Sequence, residues 1–117
     1  MKWIGIVGSR RRNTFNDKHA VEHAFWKIYD YGDRIVSGGC PRGADAFAEK
    51  IAKDNGIPIL LFYPDWSKGR WAGFARNTEI AKQADMLIAC VADDRKGGTE
   101  DTVTKYKKTG KDKLILV

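Results

Sequence analysis

The chain has few of the residues that staple small folds, with two cysteines and three prolines among its 117 residues. Cys40 and Cys90 cannot build a disulfide framework, and neither has a Cys or His neighbour at zinc-finger spacing, so a metal-held mini-domain is excluded. We expect no metal and no cofactor. Cys90 lies inside an apolar run and reads as a small core residue, while Cys40, in a glycine-rich segment, reads as a small residue of a tight loop. Long hydrophobic runs are missing too. The longest, Ile57 to Pro64, falls well short of the about 20 apolar residues that a membrane helix needs, and it holds two of the prolines. Met1 to Gly8 lacks the pattern of a secretory signal, because its apolar stretch is very short and arginines follow it. A cytoplasmic protein with no membrane partner is the expectation.

What is present is ordinary for a folded domain: 43% apolar and 31% charged residues, which excludes a disordered or fibrous chain. The length fits one domain over residues 1–117 with no room for a second core. The unusual quantity is the net charge of +6, and it is unevenly placed. Residues 1–15 carry Lys2, Arg10, Arg11 and Arg12 with no acid, and residues 105–117 carry five lysines against Asp112. The middle of the chain is slightly acidic. Such a distribution favours anionic partners but says nothing about fold.

Five short apolar runs, Trp3 to Val7, Arg34 to Ser37, Ile57 to Tyr63, Met86 to Val91 and Leu114 to Val117, alternate with four segments of helical periodicity. Because the runs are mostly continuous rather than alternating, they read as strands covered on both faces. Helical faces are marked by Ala20, Val21, Ala24, Phe25 and Ile28, by Ala44, Phe47, Ala48, Ile51 and Ala52, by Ile80, Ala81 and Ala84, and most weakly by Val103 and Tyr106. Asp17 is placed to cap the first helix, Asn55-Gly56 before Pro58 to stop the second, and Gly110 to stop the fourth. The alternation predicts an α/β fold: a Rossmann-like, doubly wound, five-stranded parallel sheet in three α/β/α layers, with strand order 3-2-1-4-5.

In that fold the glycines collect on one edge. Gly8-Ser9-Arg10 follows the first strand, Gly38-Gly39-Cys40-Pro41-Arg42-Gly43 the second, and Gly97-Gly98-Thr99 the fourth, all at the carboxyl edge where ligands bind. Glycine lets backbone N–H groups approach an anion, each loop feeds a helix N-terminus, and Arg10, Arg42, Arg70 and Arg76 can add contacts to phosphate. A P-loop is excluded because Ala44-Asp45 stands where Lys-Ser/Thr should follow Gly43, and the dinucleotide GxGxxG is absent after the first strand. His19-Ala20-Val21-Glu22-His23 matches HxxEH, but it falls within the first helix away from the ligand edge, so the histidines read as a solvated face. Asp93, Asp94, Glu100 and Asp101 rim the last glycine loop, as candidate acid and base groups or simply as solvated acids near a helix start. Trp66, Trp71 and Phe74 flank Lys68-Gly69-Arg70 in a long connection, placed either to stack on a base or to cover the core.

The ordered series Gly8-Ser9-Arg10, Gly38-Gly39, Gly43-Ala44-Asp45, Asp65-Trp66, Gly69-Arg70, Ala72-Gly73, Arg76-Asn77, Ala84-Asp85 and Gly97-Gly98-Thr99 resembles the SLOG superfamily, and within it the small stand-alone YspA/YpsA-related group. The resemblance runs through essentially the whole chain. It implies a Rossmann-like fold and a pocket for a nucleotide or nucleotide-derived ligand, to which Trp66, Gly73, Arg76 and Asn77 contribute beside the glycine loops with their Ala44 and Asp45. The superfamily includes the DNA-processing protein DprA and the Lonely-guy enzymes, which hydrolyse the N-glycosidic bond of nucleoside monophosphates with an arginine and a glutamate in PGGxGTxxE. Arg76 fits the arginine. The glutamate position holds Thr102, so Glu100 and Asp101 are the candidates to replace it, and their side chains leave a helix about 100° apart.

Three functions follow as expectations. The first is binding of a nucleotide-derived small molecule without catalysis. The second is a nucleoside 5′-monophosphate N-glycosidase with Arg76, Glu100 and Asp101 as candidate catalytic residues. The third is single-stranded nucleic-acid binding of the DprA type, which requires the two basic ends to share a surface. Superfamily members often pair, and the fourth helix offers a face for a homodimer.

Overall fold

The computed structural model describes all 117 residues. Five strands, β1 (Trp3–Gly8), β2 (Arg34–Ser37), β3 (Ile59–Leu61), β4 (Met86–Cys90) and β5 (Leu114–Leu116), alternate with α1 (Phe15–Ile28), α2 (Ala44–Asn55), α3 (Ala72–Gln83) and α4 (Gly98–Lys108). The strands form one parallel sheet in the order β3-β2-β1-β4-β5, as the sequence predicts. Helices cover both faces. On one, Val21, Ala24 and Phe25 of α1 and Ala44, Phe47, Ala48 and Ile51 of α2 pack on Ile4, Ile6, Ile35 and Ile88. On the other, Ile80, Ala81, Val103 and Tyr106 of α3 and α4 pack on Val7, Val36, Leu87 and Ala89. The strands alternate between the two cores, which is why they read as continuous apolar runs.

The weakest predicted helix is anchored by its two marked residues. Val103 and Tyr106 are buried, and the Tyr106 hydroxyl donates to the Asp85 carbonyl at 2.7 Å, so this aromatic side chain is buried without stranding its polar end. The exposed lysine face is partly structural. Lys111 donates to the carbonyls of Ala81, Lys82 and Ala84 at 3.1, 3.0 and 2.5 Å, neutralising the carboxyl end of α3, where the helix dipole favours a cation. Lys105 pairs with Asp101 at 2.8 Å.

Two boundaries differ from expectation. The cap of α1 is Thr14, whose hydroxyl accepts from the Asp17 N–H while the Asp17 carboxylate accepts from the Thr14 N–H. Asp17 is thus the reciprocal member of a capping box, three residues in, and not the cap itself. The third strand is shorter than the run Ile57 to Tyr63. The Ile57 N–H closes the end of α2 by donating to the Ala52 carbonyl, and Pro58 has no N–H to give to a ladder. A 3-10 turn over Trp66–Lys68, capped by Asp65, interrupts the long connection before α3; three residues are too few to carry a periodic signal.

Candidate functional site

The strand order reverses between β1 and β4, and the connections leaving their carboxyl ends diverge around a crevice. Its walls depend on two close approaches. A Cβ at Gly8 would lie 2.7 Å from the Ala44 Cβ and 2.8 Å from the Cys90 Cβ, so α2 reaches the end of β1 because Gly8 has no side chain. Gly43 has φ of +73°, and a Cβ there would lie 2.7 Å from the Ser9 carbonyl oxygen. Its N–H donates to Asn13 Oδ1 at 2.8 Å. The first and second glycine loops are therefore held against one another by backbone contact.

The first loop is also tied to the last one. The Arg11 guanidinium grips Asp94 with two bonds of 2.9 and 2.7 Å and donates to the Lys96 carbonyl at 3.0 Å. These bonds hold the Asp94 carboxyl below its usual range. Arg12 is turned inward, donating to Asp17 at 2.8 Å and to the carbonyls of Val91 and Val117 at 2.7 and 2.8 Å. Two of the three consecutive arginines are thus structural. Arg10 is exposed and makes no ion pair or hydrogen bond, and the same holds for the Lys96 ammonium.

The resulting cleft has a volume of about 510 Å³. Its walls bring together Gly8, Ser9 and Arg10 of the first loop, Gly38, Gly39 and Asp45 of the second, and Gly97, Gly98 and Thr99 of the last, with Trp66, Arg76 and Asn77. The other candidate ligand contacts, Arg42, Gly43, Ala44, Arg70 and Gly73, do not line it. Gly43 and Ala44 are buried behind the wall, and Gly73 lies under the Trp66 ring. Arg42 and Arg70 are exposed away from the cleft. Glu100 takes two bonds from Arg95 at 2.8 and 2.9 Å, and Asp101 pairs with Lys105 and accepts from Asn77 at 3.2 Å. Neither carboxylate reaches the cleft wall.

Lining residues outside the candidate ligand contacts include Tyr63, Lys96, Cys40 and Thr102. Tyr63 closes an apolar run and Lys96 directly precedes Gly97-Gly98, so the rule that ligands meet strand ends and helix starts points to both. Cys40 stood in plain view inside a glycine loop. Thr102 is one turn into α4, at the position where the resemblance places a glutamate, so its place in the wall follows the motif.

The polar groups of the cleft fall into two sets. On one side, α4 starts at Gly97 with no side chain capping its free N–H groups, and Arg10 and Lys96 stand nearby in the wall. A helix start without a cap, sharing a wall with two unpaired cations, has the chemistry to accept an anion. On the other side lies Asp45, 7% exposed and the only carboxylate in the wall. Burial pushes its carboxyl up to about 6, against the Cys40 N–H and the Arg76 charge, which both favour the ionised form. Arg76 joins the two sets. Its guanidinium donates to the Gly38 carbonyl at 2.7 Å and to Asn77 Oδ1 at 3.0 Å, while the Asn77 amide reaches the Gly98 carbonyl at 3.3 Å.

Trp66, Trp71 and Phe74 are 62, 63 and 51% exposed, so they do not cover the core. Only Trp66 faces the cleft. His19 and His23 are exposed on α1, His19 edge-on to the Phe15 ring. The two basic ends of the chain lie at opposite edges of the sheet, Arg10 to Arg12 at the carboxyl ends of the strands and Lys107, Lys108 and Lys113 around the carboxyl end of α4. No helix is long and apolar enough to cross a membrane.

The fold and the cleft define a Rossmann-like α/β protein whose glycine loops converge on the switch point of a parallel sheet. The model of the YspA, cpYpsA-related SLOG family matches residues 6–69, more than half of the chain, and the protein belongs to that family. The matched segment contains the first two glycine loops and the Trp66 turn. No curated protein and no solved structure matches the chain.

Proposed function

We propose that the cleft binds a nucleotide or nucleotide-derived small molecule. The observation that carries this reading is the pairing, in one wall, of the uncapped start of α4 with the unpaired Arg10 and Lys96. Membership of a SLOG family supports a nucleotide-related ligand. The fixed amides supply a phosphate site that loses little entropy on binding, because their backbone is held by the helix. Glu100 and Asp101 are engaged in ion pairs outside the wall, so the proposal is for binding without glycosidic hydrolysis. The separation of the two basic ends favours a small molecule over a strand of nucleic acid, which would need a continuous positive track.

The test is a thermal shift of the full chain with nucleoside mono- and diphosphates. A ligand at one hundred times its Kd raises stability by about 2.7 kcal/mol. Arg76→Ala, which unties Gly38 from Asn77, is expected to remove most of that rise. If no nucleotide shifts the melting temperature, and no small molecule co-purifies with the protein, the proposal fails.

A further inference from the structure

Asp45 is a polar group that the fold buries and leaves incompletely satisfied. Its carboxylate accepts one bond within the chain, from the Cys40 N–H to Oδ2 at 3.1 Å. The Ser37 hydroxyl is close enough to favour the ionised carboxyl, but its proton goes to the Ile6 carbonyl at 2.6 Å. Arg76 is close enough to act on the charge but forms no ion pair with Asp45, its Nη1 being turned to the Gly38 carbonyl. Oδ1 is left without a partner, on a residue that lines the cleft. A buried carboxylate oxygen with spare acceptor capacity asks for a donor from whatever fills the space beside it.

The surroundings narrow the kind of donor. No aromatic face lies at the depth of Asp45. The rings of the cleft are at its rim, Tyr63 66% and Trp66 62% exposed, and Tyr63 packs against Gly39, where even a Cβ would meet its ring. The amides at the start of α4 and the free cations suit a phosphate. A rim ring suits the flat face of a base. Between a phosphate and a base in any nucleotide stands the sugar, whose hydroxyls are neutral donors. A carboxylate is a good acceptor for them, and a poor neighbour for a phosphate.

We infer that Asp45 selects a ribonucleotide, accepting a hydrogen bond from a ribose 2′- or 3′-hydroxyl while the base rests against Tyr63 and Trp66 and the phosphate meets Gly97 to Thr99. The inference rests on the nucleotide reading above and adds the discrimination of ribose from deoxyribose to it. Removing the hydroxyl would leave the carboxylate with the Cys40 N–H alone, so the penalty falls on the deoxy ligand.

The experiment is isothermal titration of the full chain with AMP, ADP, GDP, CDP and UDP, each beside its 2′,3′-dideoxy counterpart, with the 2′-deoxy and 3′-deoxy forms added for any that bind. The expected result is at least tenfold weaker binding of the dideoxy form, the scale of one bond to a charged acceptor. In Asp45→Asn the expected result is a smaller preference, because a neutral amide bonds the hydroxyl more weakly than a carboxylate does. Equal affinity of the ribose and dideoxy forms for the unaltered protein overturns the inference and leaves the nucleotide reading standing. Binding of none of these nucleotides overturns both. The ligand comparison needs no variant, so it does not depend on how Asp45→Asn folds.

Discussion

Replacing Asp45 by asparagine should make the empty protein more stable at neutral pH, and the size of the gain should depend on pH in a defined way. The carboxyl is 7% exposed, and burial pushes it up from an ordinary 3.8 to about 6. An acid whose folded value is raised is more costly to ionise in the folded chain than in the unfolded one. Below the unfolded value the group is protonated in both states and costs nothing; the cost grows as pH rises and is complete above about 6. At 1.36 kcal/mol per pH unit, the difference corresponds to about 3 kcal/mol. Asparagine keeps an acceptor for the Cys40 N–H and never ionises. The expected outcome is that Asp45→Asn matches the parent at pH 4 and melts roughly 10 °C higher at pH 8, for a domain of this size. Glu49 adds to the cost of the charge and Arg76 opposes it, so Arg76→Ala should widen the gap. The assay is thermal or urea unfolding of both proteins from pH 4 to pH 8. A stability difference that does not change over that range, or a variant less stable at pH 8, would refute the account of Asp45 as a carboxylate held under strain for a ligand.

Other perturbations probe the scaffold. Thr14→Ala removes one half of the capping box of α1 and should cost about 1 kcal/mol in urea unfolding. Lys111→Met strands three carbonyls at the end of α3 and should lower stability by about 1–2 kcal/mol, whereas Lys107→Met, on the exposed face, should change it by less than about 0.5 kcal/mol. Gly8→Ala forces a methyl against Ala44 and Cys90; a loss of about 1–3 kcal/mol is expected, with nucleotide binding weakened further because the cleft wall itself must shift. Glu100→Gln should leave nucleotide affinity within twofold of the parent, since its carboxylate is committed to Arg95, and a large loss would return it to the site.

The fold was legible because its signals are local and repeated. Continuous apolar runs such as Met86 to Cys90 and stripes such as Ala44, Phe47, Ala48 and Ile51 need no tertiary information to be read. The limits of β3 were not, since they depend on Pro58 and on the use of the Ile57 N–H by α2. In the site, position along the chain identified which loops meet, but not which side chains are free on arrival. Arg10, Arg11 and Arg12 are identical in composition and differ entirely in role, because partners for the second and third lie about 80 residues away in Asp94 and Val91. Glu100 and Asp101 were candidates on residue type alone. Their pairing with Arg95 and Lys105 is a matter of rotamers, which sequence spacing does not specify.

The chain completes the first turn of α1 with its own Thr14 and Asp17, but α2 and α4 begin at Gly43 and Gly97 with no side chain to close them. With glycine at the cap, each omission forgoes a few tenths of a kcal/mol relative to a serine or aspartate. On the proposed reading, the α4 turn is an unfinished piece of secondary structure whose missing acceptor arrives with the ligand. Amide exchange there should be fast in the empty protein and slow in the complex, so the guest acts as the final residue of the fold, and a chain that capped α4 for itself would gain rigidity by closing its door.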